Sequence, residues 1–258
     1  MKKRKEQGHQ PKTTFVFVHY FGGYAESWRW MAKSLEKRYR CVFLNLPGFG
    51  KTDAMPRTSI YDFAKYINAR IEALQLEDYI LCGHSMGGKL VLYAAKLMVS
   101  NPPRHLVLIA PSPPTTEAME VAERQRMLRH PNRAEALKTV QRATHKRLGK
   151  KKLHLAVRSQ LLVDPATWTW WLNEGMQHDI ADRISDLDVA ATVIYAKADP
   201  VIPEKHIYER VLPYLNRPAM VAMGKCGHLI PLEKPKKLAR QLMRIAKRQE
   251  KRTVPIAP

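Results

Sequence analysis

Short apolar runs alternate with amphipathic stretches along most of the chain. Six of these runs are four to six residues long and predict strands at 13–18, 41–44, 79–82, 105–109, 191–195 and 219–223. The first is rich in β-branched and aromatic residues, which is typical of a buried strand. Apolar residues recur at helical spacing in other segments, which predicts helices at 27–39, 59–74, 86–99 and 236–248. Uniformly apolar strands that alternate with helices indicate an α/β protein with a mostly parallel, doubly wound sheet of about six strands.

The interval between the fourth and fifth predicted strands is far too long for a single crossover. Residues 112–185 have helical patterns punctuated by prolines, so we expect a helical cap inserted at the C-terminal edge of the sheet. The predicted organisation is a basic tail at 1–12, a core formed by 13–111 and 186–252, and this inserted cap at 112–185.

Three tryptophans occur within four residues of the predicted cap, at Trp168, Trp170 and Trp171. They cannot all face one side of a helix. We expect two of them to pack the cap against the core and one to line an apolar pocket beside Leu172 and Met176. The pattern does not select which tryptophan has which role.

The segment Gly83-His84-Ser85-Met86-Gly87-Gly88 directly follows the third predicted strand and leads into a predicted helix. A serine on a tight strand-to-helix turn is lifted clear of the sheet, and the flanking glycines remove side chains that would clash there. The helix begins at the serine, so the next backbone N–H points towards any oxyanion that forms beside it. Ser85 is therefore a candidate nucleophile.

A serine hydroxyl needs a general base, and the base needs an acid that holds its tautomer. In a parallel sheet these groups are expected on loops at the same edge as the serine. The loop after the fifth predicted strand contains Asp199, and the loop after the sixth contains His228. The order along the chain is then serine, aspartate, histidine.

At this point the chain resembles the α/β-hydrolase superfamily over nearly everything from Thr13 to Lys247. The matching motifs are Gly83 to Gly88, Leu46-Pro47-Gly48-Phe49-Gly50, Ala198-Asp199-Pro200-Val201-Ile202-Pro203 and Gly227-His228. The resemblance implies Ser85 as nucleophile, His228 as general base and then general acid, and Asp199 as the carboxylate that orients the histidine.

The resemblance also implies an oxyanion hole made of two backbone N–H groups. One belongs to Met86, and the position of the loop after the first strand assigns the other to Phe21. Tyr20 stands where the family usually has glycine, which predicts either a restricted turn or a phenol ring near the pocket. Only twelve polar residues precede the first predicted strand, so the family's N-terminal hairpin is expected to be missing and the sheet to be a smaller, six-stranded one.

Positive charge is in large excess: 44 Lys and Arg oppose 23 Asp and Glu, a formal net charge of +21. Twelve bases and one acid lie in 124–158, and nine bases and two acids lie in 232–252. Such a field attracts anions, so an anionic substrate and association with an anionic surface both stay open beside an ordinary solvated surface. We expect no specific nucleic-acid binding, because no nucleic-acid module accompanies the charge.

Cellular location is indicated by three features of the chain. No run of 18 uncharged apolar residues occurs, so we expect no transmembrane segment. The basic N-terminal residues have no apolar stretch behind them, which argues against a signal peptide. The scattered cysteines Cys41, Cys82 and Cys226 indicate free thiols, and together these features predict a cytoplasmic protein.

The function that this pattern favours is hydrolysis of a small carboxylic ester or related acyl compound through an acyl-enzyme, with no cofactor and no metal. Four alternatives stay open. A thioesterase, for example one acting on a phosphate-bearing thioester, an acyltransferase and a carbon–carbon bond hydrolase would use the same triad. A non-catalytic ligand-binding protein would use only the fold.

Overall fold

Six parallel strands form one sheet in this computed structural model, which describes residues 13–253. The predicted basic tail at 1–12 lies outside the described residues. The strands are β1 (Thr14–Val18), β2 (Arg40–Leu44), β3 (Tyr79–His84), β4 (His105–Ile109), β5 (Ala191–Ala196) and β6 (Ala219–Met223). Their order in the sheet is β2-β1-β3-β4-β5-β6, and every neighbouring pair is parallel. The predicted α/β fold with a six-stranded parallel sheet is confirmed.

Helices cover both faces of the sheet and fill the interval between β4 and β5. The α-helices are α1 (Arg29–Leu35), α2 (Ile60–Ala73), α3 (Met86–Leu97), α4 (Val121–Met127), α5 (Arg133–Arg142), α6 (Lys150–Leu161), α7 (Pro165–Trp170), α8 (Glu204–Arg210), α9 (Ile230–Glu233) and α10 (Pro235–Thr253). Short 3-10 turns lie at Ala25–Trp28, Asp182–Ile184 and Leu212–Tyr214, and α7 continues into a π-helical turn at Trp171–Gly175.

The two faces of β1 belong to different halves of the core. Val16 and Val18 lie in the apolar cluster that contains α2 and α3, whereas Phe15 and Phe17 lie in the cluster that contains α1 and α10. All four side chains are fully buried. A strand that is apolar at every position therefore packs helices on both sides, as a doubly wound sheet requires.

The first helix is shorter than its apolar pattern predicts. α1 ends at Leu35, and the predicted continuation to Tyr39 is wrong. The ring of Tyr39 instead meets the ring of Phe15 edge-on, with centroids 5.4 Å apart, directly before β2 begins at Arg40. Tyr39 continues the apolar pattern because it packs on the sheet, and it is not part of the helix.

The described residues between β4 and β5 contain α4 to α7 and no strand. Residues of α5 and α6 form a small apolar cluster, in which Val140 and Leu155 pack with Tyr20 from the loop after β1 and Leu229 from the loop after β6. Met127 of α4 and Trp168 of α7 belong instead to the main core cluster. The boundaries of a separate cap at 112–185 stay a prediction. No helix in the described part of the chain combines the length and the apolar character needed to cross a bilayer.

Candidate active site

Ser85 occupies a strained turn between β3 and α3. Its backbone has φ 54° and ψ −120°, a conformation that side-chain-bearing residues rarely adopt. Its N–H donates to the Ile109 carbonyl at 3.0 Å, and its own carbonyl accepts from Ser112 at 3.0 Å and Gly88 at 2.7 Å. These bonds hold the strained residue between two adjacent strand ends.

The glycines on either side of Ser85 are required by close packing. A Cβ at Gly83 would lie 2.2 Å from the Gly87 carbonyl oxygen, and a Cβ at Gly87 would lie 2.6 Å from the carbonyl oxygens of Val18 and His19. Neither position has room for a side chain, because the obstructing atoms are backbone. The glycines of the motif thus allow the backbone at the start of α3 to pack in direct contact with β1 and β3.

Two hydrogen bonds connect the three residues that the sequence selects as a triad. His228 Nε2 lies 2.9 Å from Ser85 Oγ, and His228 Nδ1 lies 2.8 Å from Asp199 Oδ2. The other Asp199 oxygen, Oδ1, accepts the backbone N–H groups of Val201 and Ile202 at 2.8 and 2.9 Å. The aspartate is therefore fixed on its own loop while it faces the histidine.

His228 is buried and its loop is held from two sides. Its backbone N–H donates to the Ala143 carbonyl at 2.9 Å, and its carbonyl oxygen lies 2.9 Å from His84 Nε2. Burial lowers the pKa of His228, but Asp199 together with Glu117 outweighs this effect and raises the pKa above the ordinary value. Burial drives the pKa of His84 well below its ordinary value, so His84 is neutral and donates from Nε2.

Phe21 lies in a sharp turn at the edge of the same site. The Gly23 N–H donates to the Tyr20 carbonyl at 2.9 Å and Gly22 has φ 79°, which makes Tyr20 to Gly23 a type II turn with Phe21 second. Positive φ is needed at Gly22 and not at Tyr20, so the tyrosine does not restrict the turn. Within residues 13–253, no acceptor takes the backbone N–H of Phe21 or of Met86.

His19 ties this turn to the neighbouring loop. The Leu46 N–H donates to His19 Nε2 at 3.2 Å, so Nδ1 carries the proton and donates to the Tyr20 carbonyl at 2.9 Å. Burial lowers the pKa of His19 to about 4, which keeps the ring neutral. The turn that presents the Phe21 N–H is thereby fixed at its first residue.

A cavity of about 560 Å³ opens beside Ser85 and His228. Its other lining residues are Tyr20, Phe21, Ser112, Glu117, Ala118, Met119, Glu120, Glu123, Met127, Thr139, Val140, Arg142, Ala143, Gln160, Trp171, Met176, Pro200, Val201 and Leu229. Of the three neighbouring tryptophans, Trp171 lines it together with Met176. Trp168 packs on Phe21, and Trp170 packs on Phe63, with ring centroids 4.2 and 5.5 Å apart.

Two charged residues of this region were not predicted from the sequence. Lys89, four residues after Ser85 on α3, is fully buried, and its ammonium donates to the Thr115 carbonyl at 3.1 Å. The signal for it is a lysine in the first turn of α3, among apolar residues that all face the core. Glu117 lines the cavity from the loop after β4, and it has no sequence signal because that loop matches no motif.

The parallel sheet, the sharp turn at Ser85 and the histidine beside it are the combination that defines α/β hydrolases. A sequence profile described as alpha/beta hydrolase fold matches residues 13–170, which is more than half of the chain. The chain belongs to the α/β-hydrolase fold family.

Two curated relatives each match over about a third of this chain. The hydrolase YugF of Bacillus subtilis, which is named as uncharacterised, is 39% identical over 87 residues, covering 33% of this chain and 32% of that protein. A pimeloyl-[acyl-carrier protein] methyl ester esterase of Pseudoalteromonas atlantica is 34% identical over 100 residues, covering 38% and 37%. The chain thus spans about a third of the length of these relatives.

Solved structures match over nearly the whole chain. An esterase from Exiguobacterium antarcticum superposes with a TM-score of 0.82 at 18% identity, covering 91% of this chain and 92% of the esterase. At that level of identity the similarity establishes the fold alone.

Proposed function

We propose that the protein is a serine hydrolase that cleaves a carboxylic ester or related acyl compound through an acyl-enzyme. The observation that carries the proposal is the pair of hydrogen bonds from Asp199 through His228 to Ser85, at 2.8 and 2.9 Å. These distances fall within the reach that proton transfer between a nucleophile and its base requires. The methyl ester esterase activity in the name of the Pseudoalteromonas relative supports an ester as the substrate.

Acylation begins when Ser85 Oγ attacks the carbonyl carbon and His228 Nε2 takes the hydroxyl proton. Asp199 keeps Nδ1 protonated, so Nε2 is free to act as the base, and its negative charge stabilises the imidazolium that forms. The carbonyl oxygen becomes an oxyanion beside the N–H groups of Met86 and Phe21. Losing one such donor typically raises the barrier by about 3 kcal/mol.

The second half of the reaction releases the acyl group. His228 gives its proton to the leaving alcohol as the carbon–oxygen bond breaks, which leaves the acyl group bonded to Ser85. A water molecule then attacks the ester carbon, His228 takes its proton, and the free acid departs as Ser85 regains its hydrogen. No step needs a group from outside the chain other than water.

The alternatives that use the same triad differ in what attacks or leaves. A thioesterase releases a thiol, an acyltransferase accepts an alcohol or amine in place of water, and a carbon–carbon hydrolase releases a carbon acid. All three require an activated Ser85. A ligand-binding protein on this fold does not, so the reactivity of Ser85 is the property to measure first.

The decisive experiment is covalent labelling with a fluorophosphonate, followed by mass spectrometry of the labelled peptide. This reagent reports an activated serine whatever the natural acyl group. We expect one adduct per chain, located at Ser85, and none in Ser85→Ala. Ser100→Ala, which changes an exposed serine in the loop after α3, is the matched control and should label like the wild type.

Turnover of p-nitrophenyl esters of graded acyl length then identifies the reaction. Activity that requires Ser85 and persists with chelator supports an esterase. Labelling of Ser85 without turnover of any ester would favour a thioesterase, an acyltransferase or a carbon–carbon hydrolase over an esterase. A folded wild-type protein that reacts with neither the fluorophosphonate nor any ester would exclude a serine hydrolase and leave a binding protein.

A further inference from the structure

The side chain of Glu117 lines the cavity that Ser85 and His228 share, yet the proposed mechanism gives it no role. Its backbone is fixed on both sides. The Glu117 N–H donates to the Met176 carbonyl at 2.8 Å, and its own carbonyl accepts from the Gln177 side chain at 3.3 Å. These two bonds therefore hold the backbone of Glu117 at one place in the cavity wall.

The Glu117 carboxyl group is only partly satisfied: the Ser112 side chain acts on it as a hydrogen-bond partner, but one of its two oxygens has no donor within residues 13–253. Its Oε2 oxygen is buried and meets no hydrogen-bond donor among the described residues. A buried oxygen without a donor typically costs a folded protein free energy, so it invites a donor from a ligand. Glu123, which lines the same cavity, differs because it is paired with Arg126 and Arg142.

Local charges act on this carboxyl group from several sides. Burial raises the pKa of Glu117. A hydrogen bond from Ser112 and the charges of Lys89 and His228 oppose the rise, and the charge of Asp199 adds to it. The lining as a whole carries three glutamates, Glu117, Glu120 and Glu123, and a single arginine, Arg142, which is already paired with Glu123. The interior of the site is therefore acidic although the chain has a net charge of +21.

We propose that Glu117 forms a polar subsite that accepts a hydrogen bond from a hydroxyl or ammonium group of the substrate. This inference rests on the proposed hydrolase function, and it narrows the substrate class to esters that carry such a donor away from the scissile bond. An ester with a free carboxylate in that position is rejected, because two like charges would meet in a mostly apolar cavity. The basic outer surface thus attracts anions, whereas the acidic cavity favours substrates with a hydroxyl or ammonium group.

The test compares four p-nitrophenyl esters of equal acyl length that end in methyl, hydroxyl, ammonium or carboxylate. We expect kcat/KM of the wild type to favour the hydroxyl or ammonium ester over the methyl ester by at least tenfold and the carboxylate ester to be the poorest. Glu117→Leu should abolish the preference while the methyl ester is turned over within a few-fold of wild type. A wild type without preference, or a preference that survives Glu117→Leu, would overturn the subsite.

Two further variants separate charge from hydrogen bonding. Glu117→Gln keeps an acceptor oxygen without the charge, so a preference for hydroxyl should persist and a preference for ammonium should fall. Glu36→Gln removes an exposed carboxylate outside the cavity lining and should keep the wild-type order of esters. Thermal unfolding of each variant shows whether a change in kcat/KM reflects loss of the fold.

A binding measurement distinguishes failure of the subsite from failure of the hydrolase proposal. Calorimetric titration of Ser85→Ala with an alkyl alcohol, an alkyl ammonium and an alkyl carboxylate of equal length needs no turnover. We expect the alcohol or the ammonium to bind at least tenfold more tightly than the carboxylate and Glu117→Leu to remove that difference. Equal affinities for all three would reject the subsite even if the enzyme is an esterase.

Discussion

The ring of Phe21 lies against the ring of Trp168, with centroids 4.2 Å apart. Phe21 belongs to the turn after β1 that presents a backbone N–H at the candidate oxyanion hole, whereas Trp168 belongs to α7 in the segment inserted between β4 and β5. The contact therefore joins the inserted segment directly to the loop that, in the proposed mechanism, holds the Phe21 N–H beside the oxyanion.

Trp168→Ala should slow turnover of all esters by a similar factor. Trp168 is buried, donates from Nε1 to the Met127 carbonyl at 2.8 Å and stacks on His130, so its loss should also destabilise the fold by about 3–5 kcal/mol. Steady-state kinetics should show a fall in kcat with little change in the preferred acyl length. Trp168→Phe retains a ring against Phe21 and should restore most of kcat, whereas a Trp168→Ala enzyme with wild-type kcat would show that the contact is irrelevant to catalysis.

Trp171→Ala should change the preferred substrate. Trp171 is the tryptophan that lines the cavity, so its removal enlarges the acyl pocket and should shift the optimum in a series of p-nitrophenyl esters towards longer chains. Trp170→Ala is the matched control, because Trp170 packs on Phe63 and is not part of the lining. The same optimum in Trp171→Ala and wild type would contradict the assignment.

The apolar pattern was sufficient to predict the sheet because the four inner strands β1, β3, β4 and β5 are buried at every position, and the edge strands β2 and β6 are still mostly apolar although partly exposed. Because the carboxyl ends of parallel strands lie at the same edge of a sheet, the predicted strand ends were enough to place Ser85, Asp199 and His228 together at that edge. Glu117 could not be predicted in this way, since only the cavity wall reveals that its oxygen lacks a donor. Helical periodicity could not predict either that Trp171, of the three tryptophans, lines the cavity. The α-helix α7 changes to a π-helical turn at that residue, which shifts the directions in which the following side chains point.

Activity should rise with pH through a midpoint above about 6.5, the ordinary pKa of histidine. In the proposed mechanism His228 must be neutral to act as the base. Burial lowers the pKa of His228, but the charges of Asp199 and Glu117 raise it by more. Activity is therefore lost on acidification earlier than an unperturbed histidine would predict. The profile of kcat/KM between pH 5 and 9 at constant ionic strength measures this midpoint.

Asp199→Asn is the matching variant for this profile. It removes the carboxylate that favours the charged histidine, so the midpoint should move to lower pH. The plateau should also fall by about 10⁴, since the tautomer that exposes Nε2 as the base is no longer favoured. A midpoint unmoved by the substitution would assign the titration to another group.

The basic exterior predicts salt-dependent adsorption to anionic membranes. Lys146, Arg147, Lys150 and Lys151 are exposed, and the ion pairs formed within residues 13–253 include none of them. Co-sedimentation with phosphatidylserine vesicles should be strong at low salt, weak at about 0.5 M salt and absent with phosphatidylcholine alone. Reversing the three lysine charges to glutamate should weaken adsorption and leave turnover of a neutral ester unchanged. Equal adsorption to both vesicle types would reject an electrostatic association.

Lys89 makes a prediction about stability at alkaline pH. Burial lowers its pKa from 10.5 to about 8, whereas in the unfolded chain the lysine titrates near its ordinary value. Between these pH values the unfolded state binds more protons than the folded state, so the free energy of unfolding contributed by Lys89 rises with pH. Relative to Lys89→Met, which has no such group, the wild type should gain about 1.4 kcal/mol between pH 7 and pH 9.

Urea unfolding of both proteins at pH 7, 8 and 9 measures this difference, because effects of pH on all other groups cancel in the comparison. Lys96→Met is the control: Lys96 lies on the same helix, but its ammonium pairs at the surface with Asp186 at 2.6 Å, so its difference from wild type should stay constant over this range. A Lys89→Met difference that is flat with pH would mean that the ammonium keeps its ordinary titration despite burial. A difference that grows as predicted would show that the folded state carries the cost of a buried charge at neutral pH, four residues after Ser85 on α3. It would also show that the hydrogen bond from Lys89 to the Thr115 carbonyl at 3.1 Å offsets only part of this cost.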